Sequence, residues 1–383
     1  MIDTVVVTFK ESMFTILDPD RFTPSARGFY SPVNGYQLGG RSNMSCVQNP
    51  SSTELKSGIY KPRLTLSKRF TKNRVFEMTL KVEFSIPKLI FGNNFDELED
   101  SDFDRVIKML RQRLQEMGVR VFELNLINAP ISGIHFGKNI PLTDYTTPYG
   151  YLDLIRKSNI SMRLDLNQTD FRNEGHSLKF RANSFEIAFY DKLKDLKKAE
   201  VSEKRAEEKD NQIQLDLFKD YQIPHPFEVL RMEIRLNRKQ KLIQILKKIG
   251  IKEEPTLKSL FHREISQSVL MFYLNEIEIG YPKITYFKHQ PKDFILDFIM
   301  HNPKAGYKKT LQMLGLRILV ENSGIREVRE MMKQFGNANW YRLNKEIKEF
   351  NYPGELTDFK VIRDCLINFE PLKMEPKKGV WEA

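Results

Sequence analysis

The stretch Val75-Phe76-Glu77-Met78-Thr79-Leu80-Lys81-Val82-Glu83-Phe84-Ser85-Ile86 alternates apolar and polar side chains. Successive side chains of a strand point to opposite faces, so this pattern predicts a strand with one buried and one polar side. Pro87 is expected to end it, because proline donates nothing to a strand ladder. The same alternation returns at Phe227–Asn237. There Val229, Arg231, Glu233 and Arg235 point one way, and Leu230, Met232, Ile234 and Leu236 the other. Further strands are expected at 5–9, 119–128, 131–137 and 160–167, with a hairpin over 177–190.

Helical spacing appears between these strands. Phe103, Val106, Ile107, Leu110 and Leu114 predict a helix over 102–117, with Gly118 as its stop. Shorter helices are expected at Pro148–Lys157 and Arg238–Ile249, the latter closed by Gly250. Strands flank helices in two successive passes, which hints at a duplicated unit. After Pro255 a 3.6-residue period dominates, in 265–277, 291–301, 307–321 and 325–335. The expected fold class is therefore α+β. A strand-rich domain over 1–252 is followed by a mostly helical domain over 253–383.

A length of 383 residues suits two domains, and 40% hydrophobic residues supply a real core. No apolar run is long enough to span a membrane, and the start of the chain reads as a strand rather than a signal peptide. Two cysteines, Cys46 and Cys365, are too few for a disulfide framework or a thiolate metal site, and a reducing cytoplasm fits them. A formal net charge of +11 favours a polyanionic partner, provided the excess clusters. Of the 21 residues from Tyr190 to Asp210, 14 are charged with both signs interspersed, so a helix projecting into solvent is expected there.

Glu83, His135 and Glu233 are polar groups carried on strands, as metal ligands or acid–base groups need. Oxygen and imidazole donors together suit Mg²⁺ or Mn²⁺, which polarise a phosphodiester. Sequence spacing alone leaves each of them equally at home on a solvated sheet face. Tyr190 closes a strand and opens the charged helix, where anions are favoured. A phenol attacks only with a cation, metal or base nearby, and Arg181, Lys192 and Lys194 are candidates for that charge. His176 reads as a hairpin-turn residue. The chain has no phosphate-binding Gly-rich loop, no Gly-x-Ser-x-Gly, no Cys-x-x-Cys and no His-hydrophobe-His. An ATPase, an α/β-hydrolase and a zinc finger lose support accordingly.

These segments, in this order, resemble the replication initiators of filamentous phages and related plasmids, the gene II/gene X type. The similarity lies in Met1-Ile2-Asp3 before a hydrophobic strand, Val82–Phe95 with its Ser-x-Pro-Lys and Gly-x-Asn, and Ile131-Ser132-Gly133-Ile134-His135. It continues in Ile187-Ala188-Phe189-Tyr190-Asp191-Lys192, in Leu230-Arg231-Met232-Glu233-Ile234-Arg235, and from Leu314 to Arg342. The chain departs from the family at His135, where an acidic residue is usual, and at Gly133, where arginine is usual.

The resemblance implies a Rep-type endonuclease core built on an antiparallel β-sheet, which nicks one strand of a double-strand origin for rolling-circle replication. Tyr190 would be the nucleophile, leaving a 5′-phosphotyrosine link and a 3′-hydroxyl primer, and the enzyme would later rejoin ends. Glu83, His135 and Glu233 would hold a divalent metal, Mg²⁺ or Mn²⁺. Arg231, Arg235, Lys192, Lys88, Lys68 and Arg69 would contact DNA phosphates, since guanidinium forks fit phosphate. Lys61, Arg63, Lys72 and Arg74 crowd the same hairpin as Lys68 and Arg69, and Lys304, Lys308, Lys309 and Arg317 form a second basic cluster. Expected partners are origin DNA, a host helicase and a host polymerase. The competing readings are a non-catalytic DNA-binding protein, as an inactive initiator or repressor, and an adaptor that contacts a host protein through the charged helix.

Overall fold

The computed structural model describes all residues except 29, 32–34, 37–42, 52–53, 55–58, 71–75, 161–169, 173–175, 201–220, 223–226, 288–289, 355–357 and 377–383. Among the described residues one antiparallel sheet of nine strands organises the chain. The strands are β1 (Ile2–Lys10), β2 (Met44–Gln48), β3 (Arg63–Phe70), β4 (Phe76–Ser85), β5 (Ile131–Pro141), β6 (Asp170–Arg172), β7 (Ser177–Arg181), β8 (Phe185–Asp191) and β9 (Val229–Leu236). Their spatial order is β6-β7-β8-β9-β5-β1-β4-β3-β2.

The order explains the two-pass pattern in the sequence. β1 and β5 lie antiparallel at the centre, with the meander β4-β3-β2 outward of β1 and the meander β9-β8-β7-β6 outward of β5. The two halves run alike: the last strand of each meander, β4 or β9, returns to pair with the central strand, β1 or β5, and the second half carries one strand more.

Register fixes which side chains share a face. Val5 stands opposite Phe84 and Ile134, Val7 opposite Val82, and Ile234 opposite Ile187 and Phe136. All of these are buried in the main core. Helices cover that side: α1 (Ile86–Phe91), α2 (Phe103–Glu116), α3 (Glu123–Ile127), α4 (Pro148–Arg156), α6 (Lys239–Lys248), α8 (Arg263–Gly280) and α12 (Lys360–Asn368). α2 presents Val106, Ile107, Leu110 and Leu114 to the core, and each such burial contributes about 1.5–3 kcal/mol. The opposite face carries Thr8, Arg63, Thr65, Lys81, Glu83, His135, Lys179, Glu186, Tyr190, Glu233 and Arg235, in register with one another.

Several sequence expectations shift by local chemistry. Pro87 follows the end of β4 and sits in the first turn of α1, where its missing N–H costs nothing. The strand expected over 119–128 is only Val119–Val121, after which Glu123–Ile127 is helical. The segment 160–167 lies almost wholly outside the described residues. The charged helix is α5 (Lys192–Glu200), and 201–210 also lies outside them.

The C-terminal part divides differently from a cut at 252/253. α7 (Leu257–Leu260), α8 and α12 pack into the main core through Leu257, Val269, Leu274, Ile277, Ile362 and Leu366. A separate apolar cluster forms only from α9 (Pro291–His301), α10 (Tyr307–Lys333) and α11 (Asn337–Glu349), with Ile284 and Phe287. α10 merges the two helices expected at 307–321 and 325–335, and breaks at Gly324 with φ +79°. The helical periodicity was correct, but it does not reveal which helices close the sheet. No helix among the described residues is long and apolar enough to cross a membrane.

Candidate functional site

The open face gathers charge where β8, β9 and β5 run side by side. Tyr190 on β8 stands opposite Arg231 on β9, and Arg235 on β9 stands opposite both Glu186 on β8 and His135 on β5. The Tyr190 hydroxyl donates to Glu233 Oε2 at 3.2 Å. His135 Nδ1 lies 3.5 Å from Glu233 Oε1, and His135 Nε2 lies 3.3 Å from Asn237 Oδ1. Arg235 grips both Glu233 oxygens, Nε to Oε1 and Nη2 to Oε2, each at 3.0 Å, and donates from Nη1 to Glu186 at 2.9 Å. Arg181 and Lys179 complete the row on Glu186, at 2.7 and 3.6 Å.

This alternation of charge sets the proton affinities. Burial opposes a charge on Glu233, yet Arg235 and His135 outweigh it and hold its carboxyl well below the usual range. Burial drives the Tyr190 hydroxyl well above 10, and Glu233 adds to the effect while Arg231 opposes it. The phenol is therefore a firm hydrogen-bond donor to a firm carboxylate.

A second, buried network lies beside the first. Arg231 donates to Asp3 at 2.8 Å and to Asn139 at 3.0 Å. Gly137, across from Glu233, lets the guanidinium lie flat, since a Cβ there would stand 2.7 Å from Arg231 Cζ. Glu97 accepts the Asn139 N–H at 2.6 Å and the Leu372 N–H at 3.0 Å, and pairs with Lys138. Burial works against its charge, but Lys138, the Met1 amino group and Arg231 prevail and hold the carboxyl at about 2. Asp3, Glu97, Asn139 and Glu186 were missed as site residues in the sequence. Asp3 sits among apolar neighbours, which was an available signal, whereas Glu97 is hidden in the acidic run Asp96–Asp100.

The structure brings together Tyr190, Glu233, His135, Arg231 and Arg235, and it separates the rest. Glu83 shares the open face but pairs with Lys81 at 3.0 Å, and its strand lies two spacings from that of His135, about 10 Å across the sheet. The three expected metal ligands thus do not form one set. His135 and Glu233 offer two neighbouring donors, and Arg235 already occupies both oxygens of the second. Among the described residues no group of three or more His, Cys, Asp or Glu has the geometry to hold a metal ion.

The expected phosphate contacts divide as well. Arg231 is buried and spent on Asp3 and Asn139, so it braces the sheet. Arg235 is partly exposed, and its partners are carboxylates. Lys192 is fully buried at the start of α5, its ammonium 5.8 Å from the Tyr190 ring centre and without a hydrogen-bond partner among the described residues. Burial lowers its pKa to about 8, with Asp195 opposing. Lys68 and Arg69 point to opposite faces of β3. Lys68 is buried on the core side, so it offers no surface contact as the structure stands, and Arg69 is exposed. Lys88 is half-buried on α1. Lys61 pairs with Glu54, Arg63 is exposed, and Lys72 and Arg74 lie outside the described residues. In the second basic cluster Lys304 and Lys308 are exposed, while Lys309 pairs with Glu346 and Arg317 is buried beside Glu321. Arg181 and Lys194 are likewise engaged, with Glu186 and with His176, which is the turn residue expected.

No protein-family model, curated protein or solved structure matches this chain.

Proposed function

We propose that this protein is a rolling-circle replication initiator that nicks and rejoins one DNA strand through Tyr190, in the cytoplasm of a bacterial host. The observation that carries the reading is the hydrogen bond from Tyr190 to Glu233 on the sheet's polar face, with His135 on the same carboxylate. A nucleophile, a proton acceptor and a second titratable group thereby lie within reach of one another.

The chemistry follows from those contacts. In the free protein Arg235 clamps Glu233 and keeps it a weak base, so the phenol stays protonated. An incoming phosphodiester competes for the Arg235 guanidinium, which fits two phosphate oxygens as well as it fits a carboxylate. Glu233 then regains proton affinity and takes the Tyr190 proton. The tyrosine oxygen attacks phosphorus, the bond to the 3′-oxygen breaks, and the 5′-phosphate remains on Tyr190. His135 in its protonated form gives the 3′-oxygen its proton. Arg235 stabilises charge on the transferring phosphoryl group. The phosphoester link is retained, so rejoining needs no nucleotide. The expected Mg²⁺ or Mn²⁺ finds two donors, His135 and Glu233, rather than three.

The test uses supercoiled circular DNA carrying the sequences that flank the protein's own gene, with Mg²⁺, with Mn²⁺ and with chelator. Relaxed circles bearing protein at a 5′ end after denaturation are the expected result. Attachment that survives Tyr190→Phe sinks the assignment of the nucleophile.

One observation favours the non-catalytic alternative, an inactive initiator or repressor. Both oxygens of Glu233 are already occupied, as a purely structural ion pair would have them. That reading expects DNA binding with no relaxation under any metal condition.

A further inference from the structure

The loop that leaves β5 carries an aromatic ring in an exposed and costly position. Tyr145 is 85% exposed and has φ +60°, a left-handed backbone that a bulky residue adopts at a cost of roughly 1–3 kcal/mol. Glycine would adopt it freely. The loop is braced. Asp144 accepts the Thr146 N–H at 3.1 Å, the Thr146 hydroxyl at 2.8 Å and the Tyr151 hydroxyl at 2.9 Å. The Tyr145 N–H donates to Leu142 O at 3.2 Å, and the Leu142 N–H to Glu228 O at 2.9 Å. The Tyr145 ring meets Phe227 edge to face, with centres 5.8 Å apart. One face of a tyrosine is thus held out to solvent by a rigid support.

Its place in the fold gives this ring a use. Phe227 lies four residues before Arg231, which stands opposite Tyr190, so about 13 Å of extended chain separates the ring pair from the Tyr190 position. Both lie at the same end of the sheet, where Pro141 pairs with Val229. We infer that Tyr145, backed by Phe227, is a stacking platform for an unpaired nucleobase of a single DNA strand. The inference rests on the strand-nicking reading for its choice of ligand. A flat exposed ring takes any base, because every base has a π-face. A base seated there keeps the strand unpaired next to the tyrosine that attacks it.

The test is fluorescence anisotropy with a fluorescein-labelled twelve-residue oligo-dT, alone and annealed to oligo-dA, over a range of salt. Tyr145→Ala and Tyr145→Gly are expected to weaken single-strand binding at least roughly five-fold, the lower end of what one stacked base contributes. Tyr145→Phe should bind as the wild type does. Duplex affinity and the slope of log affinity against log salt should not change, because the ring carries no charge. Tyr145→Gly relieves the backbone, so its loss cannot be put down to misfolding. Single-strand binding unchanged in Tyr145→Gly, or an equal loss on duplex, overturns the inference. A wild type that binds the strand through Tyr145 yet attaches nothing covalently sinks the nicking reading and leaves the platform standing. Covalent attachment with indifference to Tyr145 does the reverse.

Discussion

Arg231 passes directly over Gly137, so closely that a methyl group at 137 would stand 2.7 Å from the arginine Cζ. The two residues belong to neighbouring strands, two register positions apart. Gly137→Ala should force the guanidinium away from Asp3 and Asn139 and leave buried charge unpaired. A destabilisation of about 3–5 kcal/mol is expected, read as a lower midpoint in urea. An unchanged midpoint would show that the arginine has room to move aside.

Tyr190→Phe removes one hydrogen bond and keeps the ring. Stability should fall by only about 0.5–1.5 kcal/mol, while covalent DNA attachment disappears and DNA affinity stays. Parallel urea titration and denaturing gels separate the two effects.

Glu83→Ala tests the separation of Glu83 from the cluster. Its pair with Lys81 is exposed, so stability should change by less than about 1 kcal/mol and strand attachment should be unaffected. A large loss of attachment in Mg²⁺ or Mn²⁺ would return Glu83 to the metal set.

Glu97 should make the fold acid-sensitive. Its folded carboxyl titrates at about 2 against an ordinary 4.5, so the unfolded state binds its proton first as pH falls. The stability it contributes is complete above about 4.5 and is lost between there and 2. Glu97→Gln should flatten that acid limb. At neutral pH the variant should lose about 3–5 kcal/mol, because Lys138 is left buried without its partner. A wild-type urea midpoint flat between pH 5 and pH 3 would contradict this.

Lys192 gives a slope of the same sign, but it costs stability at neutral pH where Glu97 contributes it. The unfolded chain keeps its proton to about 10.5 and the folded protein releases it near 8. Between those values the unfolded state binds more protons, so this residue makes stability rise with pH over that window. Lys192→Met should remove the slope and stabilise the protein at pH 7 by up to about 3 kcal/mol. A destabilised variant would mean that the amine has a partner in solution.

The alternation in Val75–Ile86 and Phe227–Asn237 was enough to establish strands and their two faces, because side-chain direction along a strand is a local property. It also put Arg231, Glu233 and Arg235 on one face correctly. The helical spacing of 102–117 and 291–301 was legible for the same reason. Which strands become neighbours was not legible, since pairing between β9 and β5 joins residues about a hundred positions apart. That pairing brings His135 to Glu233, and contacts equally distant in sequence bury Arg231 against Asp3 and pack α8 and α12 on the sheet. Sequence determined the period and polarity of each element, and tertiary structure decided the company each charge keeps. A charge acts through distance and burial, and both depend on the whole packed chain.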